Sequence, residues 1–326
     1  MNRRRECISI LLALALLLAL LLAAGWALVP ELYISGTNWK RYRSEPAQSV
    51  DAIFVGSSMV FCDVAPGVIY ENSGVTSYVV AGPEQSMAAS YYYIRQALRT
   101  QSPKIVFLEL GGMYFSLDEE HATANVAFLP RGRDRLEATF HAARREDIPG
   151  LLLPVLAYHE RWYSVTLREL ADKLGRGTDL YAGYTPHKAS EPQEKTGVRS
   201  LGPEYADDAL AWLGRIADFC RERDVQLVTY LAPAMRRLPE GSRRILERDV
   251  AAIPDVGYID FNAQDELRTL GLDAQSDWFD SLHLNAAGAR KFSVRLAQLL
   301  AQRGLPATEG EDAALWQARV EAVQTA

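Results

Sequence analysis

Two distant stretches of the chain carry side chains able to do nucleophilic chemistry together. The apolar run Asp51–Val55 leads straight into Gly56-Ser57-Ser58-Met59, and much later Asp280 and His283 stand three apart in SDWFDSLHLNAAG. A serine on a tight turn after a strand is held above the carboxyl edge of a sheet with its hydroxyl exposed. The glycine beside it lets another backbone approach closely. Serine alone is a weak nucleophile and needs a base within about 3 Å. An unperturbed imidazole titrates near pH 6.5, so it takes and returns a proton at neutral pH. An aspartate on its other nitrogen orients the ring and stabilises the imidazolium. Ser58, His283 and Asp280 are therefore the candidate nucleophile, base and acid.

Context separates the five histidines. His141, His159 and His187 have no acid three residues before them. His187 lies in irregular sequence and is expected on the surface. His159, in Tyr158-His159-Glu160-Arg161-Trp162, is either a satisfied structural histidine of the insertion or, with Trp162, a substrate-lining candidate. Asp118 and His121 repeat the Asp-x-x-His spacing within LDEEH, where acids favour a helix start and a capping role suffices. Asp280 and His283 instead precede a helix that Asn285 can cap, which fixes the loop that aims the imidazole. Gly241-Ser242 is a second Gly-Ser pair, but it opens a helix with no strand before it.

Positioning these groups requires a sheet. Strands are expected at Asp51–Val55, Ser77–Val80, Lys104–Leu110, Gln226–Leu231 and Gly257–Phe261, each an apolar run bounded by turn residues. Helices are expected at Ser86–Thr100, Ala206–Arg223, Arg243–Ala252 and Ala286–Gln302. The alternation predicts an α/β fold: a flavodoxin-like parallel sheet of about five strands, helices on both faces, and a site at the strands' carboxyl ends. The domain is expected to span 51–303, with a helical insertion after the third strand, about 115–202, serving as a lid or substrate wall. Within the insertion 175–202 reads as an irregular loop, and Tyr158, Trp162, Tyr163, Tyr181 and Tyr184 are aromatics suited either to stack on sugar rings or to pack the insertion's own core. Residues 304–326 form a polar tail with a short helix and no assigned role.

The N-terminus points to a membrane. From Cys7 to Val29 the chain is uncharged and mostly Leu and Ala, and as a helix it reaches roughly 34 Å, enough for a hydrocarbon core of about 30 Å. Arg3, Arg4 and Arg5 precede it and the next basic residue is Lys40, an asymmetry that keeps residues 1–6 in the cytoplasm and the main domain outside. The apolar stretch exceeds a signal peptide's usual 7–15 residues, so an uncleaved single-pass anchor at 7–29 is expected, followed by a polar connector, 30–50. A net charge of −6 over 326 residues leaves no footprint for nucleic acid. Cys7, Cys62 and Cys220 make no disulfide framework; Cys62 and Cys220 are expected as two buried thiols, with pairing the alternative. The chain has no Gly-rich nucleotide motif and no clustered His/Cys set, so neither a cofactor nor a metal is expected.

The Gly56-Ser57-Ser58 block and the Asp280-Ser281-Leu282-His283 block together resemble the first and last blocks of the SGNH/GDSL hydrolases. The resemblance covers about 50–303. It implies that Ser58 is the nucleophile, with Ser57 in place of the family's aspartate, and that Asp280 and His283 are acid and base. It also implies an oxyanion hole from the backbone N–H groups of Ser58 and Gly82. The family's third block, Gly-x-Asn-Asp, is absent: Leu110-Gly111-Gly112-Met113-Tyr114 holds no asparagine. The N-terminal helix and reduced third block are similar to anchored variants near the D-alanyl-lipoteichoic acid biosynthesis protein family. That similarity implies O-acylation of a surface polysaccharide or teichoic acid, or ester hydrolysis there, through an acyl-serine. An acyl donor and a membrane-bound O-acyltransferase are the implied partners beside the bilayer. The alternative is a catalytically weak module that presents acyl carrier or polymer to that acyltransferase.

Overall fold

The computed structural model describes residues 2–30, 36–117, 121–175, 177–188, 197–198, 204–206, 208–305, 307 and 312–326. Among them the strands are β1 (Ala52–Gly56), β2 (Ser77–Ala81), β3 (Ile105–Glu109), β4 (Gly197–Val198), β5 (Gln226–Leu231), β6 (Arg236–Arg237) and β7 (Val256–Asp260). The main sheet runs β2-β1-β3-β5-β7 with every pair parallel, and β4 and β6 form a separate two-residue pairing. This is the expected flavodoxin-like order, and the direction in which strands are added across the sheet reverses between β1 and β3. A crevice is set there by topology, above the ends of the strands that carry Ser58 and Glu109.

Period-two alternation sends successive side chains to opposite faces. Ile53 and Val55 of β1 enter a core shared with helices Met87–Ala97 and Ala209–Arg221, while Ala52 and Phe54 enter the other core with helices Pro66–Ser73 and Ala286–Gln302. Cys62 and Cys220 are buried thiols belonging to opposite cores, so the sheet keeps them apart. Helix Pro66–Ser73, beyond the helices expected from the sequence, is bounded by local signals at both ends. It has Pro66 in its first turn and stops at Gly74, whose φ of +70° is the left-handed cap glycine tolerates.

The connector is more ordered than its polar sequence suggests. Asn38 caps a short helix, Trp39–Tyr42, accepting from the N–H groups of Lys40 and Arg41, and Trp39 and Tyr42 are buried. Thr37 bonds along the outer strand: its N–H donates to Ala81 O at 2.9 Å, and its Oγ accepts from Ala81 N–H at 2.7 Å. The connector thus covers an edge that would otherwise offer unpaired backbone groups.

The C-terminal segment also has a structural task. Helix Ala313–Gln324 packs on helix Pro66–Ser73, with Trp316 stacked on Tyr70 at 5.0 Å between ring centroids. Arg319 is fully buried; it pairs with Glu45 of the connector and donates to Asp179 O at 3.1 Å.

The N-terminal helix spans Asn2–Leu28, and the stretch Arg3–Leu28 is long and apolar enough to cross a membrane. Its last turn meets the insertion. Arg161 donates to Leu28 O, Lys173 to the carbonyls of Trp26 and Ala27, and Gly25 lies against Pro154. These cations satisfy helix-end carbonyls that have no intrahelical partner.

Candidate active site

The site begins at Gly56, the last residue of β1, where φ is +152°. A Cβ there would stand 2.7 Å from Glu109 Cβ and 2.8 Å from Val60 Cγ2, so only glycine lets β1 and β3 close up. Ser57 is buried and caps the one-turn helix Ser58–Phe61, while its hydroxyl donates to Glu109 Oε2 at 3.1 Å. Glu109 also accepts from Gly111 N–H at 2.6 Å. The strand-end carboxylate therefore ties the first block to the turn after β3 and fixes the start of the serine helix.

Ser58 Oγ lies 2.8 Å from His283 Nε2, and His283 Nδ1 lies 2.8 Å from Asp280 Oδ2. Residues 225 apart in sequence have been brought into one hydrogen-bonded chain. Asp280 Oδ1 accepts from the backbone N–H groups of Leu282 and His283, at 2.7 and 2.8 Å. Burial opposes ionisation of Asp280, but the His283 hydrogen bond and charge, with the two N–H donors, outweigh it and bring the carboxyl down to about 2. At neutral pH Asp280 is thus a carboxylate, able to hold the Nδ1–H tautomer that leaves Nε2 facing serine.

The loop that carries this pair is pinned from several sides. Asn285 caps the last long helix through the N–H groups of Ala287 and Gly288. A Cβ on Gly288 would fall 2.1 Å from Asp277 O, so the approach of loop to helix needs glycine. Arg236 N–H donates to Ser281 O, Ala286 N–H to His187 O, and Leu284 N–H to Asp63 Oδ1 at 2.8 Å.

Asp63 is fully buried, and its Oδ2 has no partner among the described residues. Burial pushes its carboxyl well above the usual range; nearby Asp280 and Glu109 add to this, against the Leu284 hydrogen bond. With a folded-state pKa above the unfolded one, the folded protein holds a proton that the unfolded chain has released. Stability therefore falls as pH rises from about 4, by up to about 1.4 kcal/mol per unit, until the raised pKa is passed. Asp63→Asn keeps the acceptor for Leu284 and removes that dependence. Denaturant titrations between pH 5 and 8 should show a flatter profile for the variant and higher stability than the parent at pH 8; parallel profiles would refute it.

Other candidates are placed differently from their sequence reading. Gly82 N–H donates to Gly56 O at 3.2 Å, so in this structure it continues the strand ladder instead of facing an oxyanion. His159 and Trp162 are exposed in a turn, His159–Tyr163, that packs against the end of the N-terminal helix, and neither joins the Ser58–His283–Asp280 chain. The capping bonds from Arg161 and Lys173 hold this part of the insertion there instead of over the serine. Of the insertion's other aromatics, Tyr184 is buried and Tyr181 lines a cleft of about 420 Å³ with Gly82, Asn125 and Thr185. Asp118 lies outside the described residues, and His121 precedes the short helix Ala122–Phe128.

Three participants were missed. His187, expected on the surface, is half-buried: it stacks on Phe279 at 4.3 Å and sits 3.2 Å from Cys62 Sγ. Burial, and then the neighbouring His283, lower its basicity, with Asp280 opposing. Asn125 brings its amide against Gly82, whose added Cβ would meet Asn125 Oδ1 at 2.2 Å, and donates to Pro83 O at 2.8 Å. The turn Leu110–Tyr114 directly after β3 holds no asparagine, but this one reaches the end of β2 from the insertion. Asp63 is the third. None had a local signal, because each acts through a contact distant in sequence. Among the described residues no group of three His, Cys, Asp or Glu is arranged to hold a metal.

No family model matches the chain, and no curated protein matches it. Solved structures similar to it include a GDSL-like lipase from Bacteroides thetaiotaomicron, 10% identical over 82% of this chain and 98% of that one, with a TM-score of 0.39. Another is a putative acylhydrolase from Bacteroides fragilis, 8% identical over 84% and 99% of the two chains, with a TM-score of 0.41.

Proposed function

We propose that the protein performs acyl transfer or ester hydrolysis in the cell envelope through an acyl-Ser58 intermediate, as an SGNH/GDSL-type enzyme that O-acylates a surface polysaccharide or teichoic acid. The observation that carries this reading is the Ser58–His283–Asp280 chain, with both links at 2.8 Å. In this reading His283 Nε2 takes the Oγ proton as Oγ attacks an acyl carbonyl, and the imidazolium returns it to the leaving oxygen. An incoming hydroxyl then loses its proton to the same nitrogen as it attacks the acyl-serine, and the imidazolium passes that proton to Oγ as the C–Oγ bond breaks, freeing Ser58. A sugar hydroxyl gives transfer and water gives hydrolysis. Arg3–Arg5 ahead of the apolar helix support an external position for the domain, where polymer hydroxyls are abundant.

A second reading has its own support. With Gly82 N–H engaged by Gly56 O and no asparagine in the turn Leu110–Tyr114, oxyanion donors are fewer than the resemblance implies. Removal of one such donor costs about 10²–10³ in rate. The chain would then serve as a catalytically weak module presenting acyl carrier or polymer to a membrane-bound O-acyltransferase.

One measurement separates these readings: base-labile acetate or D-alanine released from purified envelope polymer. The Ser58→Ala strain should lose acyl content to the level of a full deletion. A rise would identify an esterase, and unchanged content with loss only on deletion would select the accessory module.

A further inference from the structure

From the insertion's placement we infer that residues 152–174 form a second membrane-contact surface, seated in the interfacial layer of the bilayer around the outer end of the N-terminal helix. The inference rests on the reading that this helix spans the membrane. Its uncharged part begins at Cys7, and about 30 Å of hydrocarbon takes up about 20 residues at about 1.5 Å each. The final turn, Gly25–Leu28, therefore stands at the level of the headgroups.

That turn is the one the insertion grips. Pro154 packs on Gly25, Arg161 bonds Leu28 O, and Lys173 bonds Trp26 O and Ala27 O. Lys173 also lies over the Trp26 ring, 5.6 Å from its centroid. Whatever depth the helix end has, the insertion shares it.

The insertion then presents large apolar side chains outward instead of inward. Trp162 and Tyr163 are 75% and 76% exposed, Leu167 86% and Leu174 76%, with Leu156 exposed beside them. Leu167 and Leu174, seven apart on helix Leu167–Leu174, share one face. A soluble surface would not leave such a group uncovered beside a membrane-length helix. Tryptophan and tyrosine are enriched at the membrane–water boundary, where an apolar ring and a polar tip are both satisfied. An amphipathic helix with leucines on one face lies in the same plane. The insertion is thus a collar that fixes the domain's tilt above the bilayer, a task a lone helix with a short connector cannot perform.

The test uses the full chain in phosphatidylcholine–phosphatidylglycerol vesicles, with Cys7→Ser to remove the exposed thiol; burial keeps Cys62 and Cys220 from the label. Single cysteines are introduced by Tyr163→Cys, Leu16→Cys and Arg268→Cys and labelled with the environment-sensitive fluorophore NBD. Leu16 reports the middle of the helix. Arg268, exposed in helix Gln264–Leu270 after β7, reports the opposite edge of the sheet. Lipids spin-labelled near the headgroup should quench position 163 at least two-fold more than position 268, and more than lipids labelled deep in the chain. Position 16 should show the reverse depth order. Adding Trp162→Glu and Leu167→Glu should return position 163 toward the value at 268. If 16 is quenched while 163 matches 268, the collar is wrong and the membrane helix stands. If neither is quenched, the membrane reading itself fails.

Discussion

Ser58→Ala is expected to lower acyl transfer or hydrolysis by roughly 10⁴–10⁶-fold and to abolish labelling by a fluorophosphonate probe. The reason is that nucleophile and base form one unit: Oγ is 2.8 Å from His283 Nε2, and neither group does the chemistry without the other. His283→Ala should therefore suppress labelling as strongly as loss of the serine, and the double variant should be little worse than either. Asp280→Asn is more discriminating. Its Oδ1 can still accept from Leu282 and His283 N–H, so the loop keeps its shape. An amide donor facing Nδ1 then favours the wrong imidazole tautomer, at a cost of about 10⁴ in turnover. Because Asp280 is ionised above about pH 2, its own titration should not appear in a neutral-range pH–rate profile. Unaltered folding of each variant is checked by circular dichroism. Labelling that survives Ser58→Ala would overturn the assignment of the nucleophile.

The second large effect is on stability. Arg319→Met should destabilise the protein by about 3–5 kcal/mol, because it strands a carboxylate in the interior. Arg319 and Glu45 are both buried, and their pair joins the C-terminal helix to the connector. Burial raises the pKa of Glu45, and Arg319 is the main influence holding it down. Without the arginine, the carboxyl protonates more readily in the folded state than in the unfolded chain. The variant's deficit should thus shrink as pH falls toward the unfolded value of about 4.3 and grow above it. Adding Glu45→Gln should recover part of the loss, since the stranded charge is gone. Denaturant midpoints for the two single variants and the double complete the cycle; additive losses would mean that the pair is not coupled.

Sequence alone carried the periodic and local features. Apolar runs at 51–55, 77–80, 104–110, 226–231 and 257–261 place the parallel strands within a residue or so of their observed ends, and Asn285 marks the start of helix Ala286–Gln302. Period-two and period-3.6 patterns are properties of neighbouring residues, so they survive without knowledge of the fold. The first and last blocks were equally legible, because Gly56-Ser57-Ser58 and Asp280-x-x-His283 each need a local turn.

Tertiary structure decided what those blocks meet. Glu109 beneath Ser57, Asp63 on Leu284 N–H, His187 on Phe279 and Asn125 against Gly82 are contacts between segments tens to hundreds of residues apart. The same holds for Gly82, whose N–H a motif assigned to an oxyanion and the sheet assigns to Gly56 O. It also placed Trp162 and Tyr163 at the end of the N-terminal helix instead of over Ser58, through two cations capping its carbonyls. Local patterns record which face of an element is apolar and where the chain turns. Which carbonyl, carboxylate or ring occupies the far side of a contact depends on the packing of the layers, and that is settled only when the whole sheet has closed.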